Sequence, residues 1–203
     1  MNNADDMRSR ISREAATLLY FGAEKEYRQA KLKAAKTFGS HFLPTNLEIA
    51  LELDKIAEEK EGQIRRNHLV LMRQEALRIM KLLDAYHPLL IGSVWRGTAR
   101  IGSDIDITTY TDQPEQALEL LKRSSIQIQR SCWMRVNKHG ITYASYHIYA
   151  ETETKISLEI VVRNMDEVGQ KRKCEIFGDE IKGLKIPELE ELLKENATRQ
   201  FLP

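Results

Sequence analysis

The sequence predicts an α+β fold: a helical N-terminal region followed by a part built on a mixed or antiparallel sheet with flanking helices. Three observations carry this. Residues 1–87 are rich in Ala, Leu, Glu, Lys and Arg and contain a single proline, Pro44. From Pro88 onward, segments that alternate in the period of a strand take over, beginning with DIDITTY at 104–110. Short amphipathic stretches opened by Pro114 and Pro187 then supply helices to cover the sheet.

The elements follow in order. Residues 12–37 are good helix formers throughout, interrupted only by Gly22. GSHFLPTN at 39–46 breaks that pattern, and TNLE at 45–48 reads as a capping box, with Thr45 and Glu48 exchanging hydrogen bonds across the first turn. A long helix then runs towards Tyr86, with Gly62 as its candidate break. Leu69, Met72, Ala76, Met80 and Leu83 recur at spacings of three and four and predict its buried face. Arg65, Arg66, Arg73 and Arg78 are expected on its solvated side. After Pro88 come a short apolar run at 89–91, the strand at 104–110 and the helix PEQALELLKR. SIQIQRSCWMRV, the turn NKHG, ITYASYHIYA and KISLEIVVR complete the sheet, with His139-Gly140 turning a hairpin. The expected organisation is thus a helical region, 1–87, packed on a second part, 88–203.

Composition excludes several classes of protein. At 42% apolar and 30% charged residues the 203-residue chain is globular rather than disordered. Acidic and basic side chains nearly cancel, to +1, so no general attraction to nucleic acid is expected. No apolar stretch reaches the length of a membrane span, and MNNADDMRSR holds no signal core. Cys132 and Cys174 stand without a CxxC or a Cys/His cluster and are expected as reduced thiols. A cytoplasmic protein with no membrane partner is the expectation.

The segment LLIGSVWRGTARIGSDIDI, 89–107, carries the chemistry. On a strand, Asp104 and Asp106 project to one face while Ile105 and Ile107 take the other. Two carboxylates so close repel each other, and a hard divalent cation such as Mg²⁺ or Mn²⁺ relieves that. Gly92 and Ser93 follow an apolar run, where a glycine permits close backbone approach and a hydroxyl binds phosphate oxygen. Arg96 and Arg100 supply guanidinium groups that match phosphate, Ser103 is a further nucleotide-binding candidate, and Gly97 and Gly102 keep the segment flexible or tightly folded. Taken singly, each residue reads as a turn or a surface charge; together they lie between one strand end and a paired-aspartate strand.

GS, ten residues, then DID flanked by apolar residues resembles the signature of the DNA polymerase beta-type nucleotidyltransferase superfamily, and GSVWRGTARIGSDID is especially similar to its small stand-alone prokaryotic members. Trp95 stands where that subgroup usually has a small residue. The resemblance implies a nucleotidyltransferase-type sheet, with Gly92 and Ser93 holding the triphosphate of an NTP donor, ATP being the expected one. It implies that Asp104 and Asp106 bind two divalent metals and that a third carboxylate lies on a later strand. Glu159, between Leu158 and Ile160, fits best by strand parity; Glu151, Glu153 and Asp166 are the alternatives. The implied reaction transfers a nucleoside monophosphate to an acceptor hydroxyl on RNA, a small molecule or a protein, with release of pyrophosphate.

Other features point less sharply. His139 and His147 read as structural or surface residues, and Tyr143, Tyr146 and Tyr149 as core and sheet-surface residues. Lys171, Arg172 and Lys173 form a short basic loop, and the N-terminal helices offer a surface for homodimerisation. The alternative function is a catalytically weak nucleotide-binding regulator or toxin–antitoxin component. The regulator reading would gain if Glu159 pointed away from the two aspartates.

Overall fold

The computed structural model describes residues 3–124, 126–138 and 141–203, so the turn expected at His139-Gly140 lies outside the described residues. Helices α1 (Asn3–Tyr20), α2 (Tyr27–Thr37) and α3 (Asn46–Leu82) come first. Strand β1 (Leu89–Ile91), helix α4 (Gly92–Arg96), strand β2 (Ile105–Tyr110) and helix α5 (Pro114–Lys122) follow. Strands β3 (Gln127–Lys138), β4 (Ile141–Glu151) and β5 (Ser157–Arg163) and helix α6 (Ile186–Glu195) complete the chain. Contacts divide it into two units: residues up to Arg65 with Lys173–Glu180, and Arg66–Arg172 with Ile181–Leu202.

In the first unit, α1 and α2 are separated where Gly22 takes φ +69°, a left-handed conformation that ends a helix cheaply only at glycine. Ala15, Ala16, Ala30, Ala34 and Ala35 are buried with Ile11, Leu19, Ile49 and Ile56. Alanine on facing helices allows close approach of the backbones. The capping box forms as expected: the Thr45 N–H donates to Glu48 Oε2 (2.7 Å) and the Glu48 N–H donates to Thr45 Oγ1 (3.2 Å). Gly62, at φ +49° and ψ −122°, breaks α3 into two helical segments.

The second unit is organised by a five-stranded sheet of order β1-β2-β5-β4-β3. Strands β2 and β5 run parallel, and every other neighbouring pair is antiparallel. The sheet is therefore mixed. One face is apolar: Leu90, Ile105, Ile107, Ile148, Leu158 and Ile160 are at most 2% exposed. Against the same core lie Leu69, Met72, Ala76, Met80 and Leu83 of the long helix and its exit turn, with Ala117 and Leu121 of α5 and Leu189 of α6. The three-and-four spacing thus marks the buried face as expected. Strand β5 alternates along its length, Leu158, Ile160 and Val162 inward and Glu159 outward.

The arginines of α3 depart from the expected solvated side. Arg65 is 4% exposed and pairs with Asp54 and Glu58. Arg73 is fully buried and has no carboxylate partner among the described residues; it donates to the carbonyls of Val94 (3.1 Å), Trp95 (3.0 Å), Ala197 (2.7 Å) and Arg199 (2.9 Å). Burial pushes its pKa down to about 10, which leaves it charged. Periodicity places an arginine on a helix face, but it does not reveal that carbonyls at the end of α4 and in the C-terminal tail will converge there. Among the described residues, no helix is long and apolar enough to cross a membrane.

Candidate active site

Strand β1 delivers the site. It is held on one side by β2, with Ile91 paired to Asp106, and on the other by the reciprocal bridge of Leu90 and Leu184 at 2.9 Å in each direction. The chain then turns at Gly92 straight into α4, where the sequence suggested only a turn. Gly92 has φ +70°, and a Cβ there would stand 1.9 Å from Asp106 Oδ2. Glycine is therefore required twice, by the backbone conformation and by the carboxylate lying against it. Ser93 sits in the first turn of α4, and its hydroxyl makes no hydrogen bond among the described residues.

Asp104 immediately precedes β2 and Asp106 lies within it, so the two share a face of the strand. Parallel pairing sets Asp106 directly opposite Glu159 of β5. Asp104, Asp106 and Glu159 each offer an oxygen within 4.8 Å of the others. Glu151 instead binds Lys155 Nζ at 2.8 Å, and Asp166 lies in a single 3₁₀ turn beyond the strand. The carboxylate that parity favoured is the one that joins the aspartates.

Crowding has the electrostatic result that the DxD spacing foretells. Burial pushes the Asp106 pKa up to about 8, and the charges of Asp104 and Glu159 push in the same direction. At neutral pH the trio by itself thus keeps a proton on Asp106. A divalent cation would take that proton's place, and three carboxylates suit a hard ion such as Mg²⁺ or Mn²⁺. The residues present fit such an ion.

Other candidates from the signature stand differently. Arg96 is 3% exposed; its Nη1 donates to the Phe201 carbonyl (3.1 Å), its own carbonyl accepts the Phe201 N–H (2.9 Å), and its guanidinium lies 4.5 Å from the centre of the Trp95 ring. Trp95 is itself 4% exposed and belongs to the core. Ser103 and Arg100 close a turn on each other: Ser103 Oγ accepts the Arg100 N–H (3.0 Å) and the Arg100 carbonyl accepts the Ser103 N–H (2.9 Å). Gly97, at φ +75°, has the Arg199 carbonyl oxygen 2.7 Å from where a Cβ would be, so the tail passes directly over it.

Two residues read as merely structural from sequence lie at the site. His147 Nδ1 is 2.7 Å from Glu159 Oε1, and its Nε2 is 2.9 Å from Ser145 Oγ. Tyr149 is the direct partner of Glu159 across the β4–β5 pairing; burial and the Glu159 carboxylate raise its pKa above the ordinary phenol value. Ser145, His147 and Tyr149 alternate along one strand, a signal visible in sequence, but only the register with β5 brings them to Glu159.

Residues 88–182 match the family described as Nucleotidyltransferase domain. No curated protein matches the chain significantly. Among solved structures, the GLD-2/RNP-8 complex aligns at 12% identity over 60% of this chain and 45% of that chain, with a TM-score of 0.34. Cid1 in complex with the UTP analogue UMPNPP aligns at 14% identity over 58% and 37%, with a TM-score of 0.35. A cytoplasmic RNA terminal U-transferase aligns at 16% identity over 58% and 34%, with a TM-score of 0.29. The chain thus spans less than half the length of each. The signature segment lies inside this match, so residues 88–182 are similar to a nucleotidyltransferase domain on both grounds.

Proposed function

We propose that this protein transfers a nucleoside monophosphate from an NTP to an acceptor hydroxyl in a metal-dependent reaction that releases pyrophosphate. The observation that carries the reading is the convergence of Asp104, Asp106 and Glu159 within 4.8 Å, with Asp106 packed against the glycine of Gly92-Ser93. In the transfer, the acceptor oxygen attacks the α-phosphorus, the bond from that phosphorus to the bridging oxygen of the β-phosphate breaks, and pyrophosphate departs.

The positions of the residues support the following roles. Gly92 and Ser93 bind the triphosphate through backbone N–H groups and the free Ser93 hydroxyl. Asp104, Asp106 and Glu159 would hold Mg²⁺ or Mn²⁺, which would supply positive charge to stabilise the negative charge of the reacting phosphates. Asp106 gives up its proton as the site is loaded. Glu159 accepts the acceptor's hydroxyl proton on the carboxylate oxygen that His147 leaves free. Most of the acceleration comes from positioning and charge stabilisation in a fixed site.

The test incubates purified protein with each labelled NTP, Mg²⁺ or Mn²⁺ and a cell extract, and follows both pyrophosphate and the label. Label in RNA, protein or a small molecule identifies the acceptor. ATP is the donor we expect to serve best. Absence of labelled product and of pyrophosphate with all four nucleotides would leave the nucleotide-binding regulator as the better reading.

A further inference from the structure

We propose that His147, held by Ser145, is a positioning residue that orients Glu159 for metal binding and transfer. The inference rests on the nucleotidyltransferase reading of the carboxylate trio. Its structural basis is a chain of two hydrogen bonds on one face of the sheet: Ser145 Oγ to His147 Nε2 at 2.9 Å, and His147 Nδ1 to Glu159 Oε1 at 2.7 Å.

The direction of each bond follows from what the groups can do. An ionised carboxylate only accepts, so Nδ1 must carry the proton. In a neutral imidazole Nε2 is then an acceptor, and the Ser145 hydroxyl is the group that donates to it. Ser145 lies two residues before His147 on β4 and therefore on the same face, so the tautomer is selected within a single strand. His147 pairs with Val161 in the β4–β5 register, which places Glu159 diagonally across from it. The side chains of His147 and Glu159 are 14% and 23% exposed, sheltered enough for the bond to persist.

The consequence falls on Glu159 alone among the three carboxylates. A glutamate has three side-chain torsions, and without a partner its carboxylate would sample several orientations beside the two aspartates. The Nδ1–H bond fixes Oε1 and so directs the remaining oxygen. Partners of this kind around a metal ligand govern affinity and activity by about ten- to hundredfold. The other two carboxylates are constrained differently, Asp106 by Gly92 and Asp104 by its place at the head of β2.

Replacement series at His147 test this. An asparagine places its amide nitrogen the same number of bonds from Cα as Nδ1, so His147→Asn retains the donor to Glu159, whereas His147→Ala removes it. The expected result is a loss of about ten- to hundredfold in Mn²⁺ affinity, measured by calorimetry without nucleotide, for His147→Ala. A similar loss is expected in kcat, with KM for the NTP little changed because the triphosphate is held at Gly92-Ser93. His147→Asn should recover most of both losses. A folded His147→Ala that keeps wild-type Mn²⁺ affinity and kcat, or an asparagine variant no better than alanine, overturns the inference and leaves the transferase reading intact. Nitrogen-15 NMR of the metal-free, unaltered protein decides the point independently of any variant's folding: a proton on His147 Nδ1 supports it, and a proton on Nε2 alone overturns it. A wild-type protein that binds no Mn²⁺ and releases no pyrophosphate overturns the metal-dependent reading, and the inference with it.

Discussion

Gly92→Ala tests whether close approach of backbone and carboxylate builds this site. A Cβ on Gly92 would lie 1.9 Å from Asp106 Oδ2, 2.8 Å from its Cγ and 3.0 Å from its Cβ. Ordinary van der Waals contact begins at 3.4 Å, so the oxygen must retreat by roughly 1.5 Å, the difference between those two distances. The φ of +70° adds a backbone cost of about 1–2 kcal/mol for any residue with a Cβ. A misplacement of about 1 Å at a reacting centre lowers rates on the order of a hundredfold, so transfer should fall at least that far. Gly102→Ala is the control, because Gly102 has φ +83° with nothing within 4 Å of where its new methyl group would stand. Both variants carry the backbone strain, and only Gly92→Ala meets Asp106. The assay is pyrophosphate release with the NTP that supports transfer, paired with Mn²⁺ titration in the absence of nucleotide and a thermal melt. The expected outcome is a similar melting temperature for the two variants and loss of Mn²⁺ affinity and turnover in Gly92→Ala alone. Activity and Mn²⁺ affinity within about threefold of the Gly102→Ala control would refute the reasoning, being far short of the roughly hundredfold loss expected.

Other outcomes follow from the same geometry. Asp104→Ala and Asp106→Ala should abolish transfer while both proteins melt cooperatively; full activity in either would remove that carboxylate from the site. In the metal-free protein, Asp106 keeps its proton up to about pH 8 when folded but loses it near pH 4 when unfolded, so its contribution to stability falls as pH rises through that window. The melting temperature of chelator-treated protein should therefore drop from pH 5 to pH 8, more steeply than that of Asp106→Asn, and Mg²⁺ should stabilise the wild type more at pH 8 than at pH 6. Parallel slopes for wild type and Asp106→Asn would contradict this. Arg73→Met should cost about 3–5 kcal/mol by chemical denaturation, since it leaves four carbonyl acceptors facing an apolar side chain. A cost below about 1 kcal/mol would show that water satisfies those carbonyls.

The two aspartates and Glu159 were readable from sequence for different reasons. Asp104 and Asp106 are two residues apart, and a strand's period of two is a local property that places both on one face. Glu159 lies far along the chain, and parity could say only which face of its own strand it occupies. Its membership in the trio depends on β2 and β5 being parallel neighbours with Asp106 opposite Glu159, which is a property of the sheet. The same limit hid His147: Ser145, His147 and Tyr149 visibly alternate, yet the register that brings them to Glu159 is set by pairing between strands.

The arginines show the limit from the other side. Arg96 lies inside the signature segment and reads as a phosphate partner, but its guanidinium is buried against Trp95 and the Phe201 carbonyl. Arg73 reads as a solvated residue of a long helix, and it holds the far end of α4 to the C-terminal tail. A guanidinium's environment depends on which carbonyls, rings and carboxylates converge on it from distant parts of the chain, and no local pattern encodes that.

Local chemistry, then, specified the helix starts near Thr45, Pro114 and Pro187, the break at Gly62, the buried face of α3, the alternation of the strands and the pairing of Asp104 with Asp106. Each depends on contacts within a few residues, where backbone period and capping geometry dominate. Tertiary structure alone decided the strand order, the opposition of Asp106 to Glu159, the contact of Gly92 with a carboxylate fourteen positions later, and the Ser145–His147–Glu159 chain. Those depend on register and on how the core closes, and a shift of one residue in a single strand would turn its site residues into the apolar face.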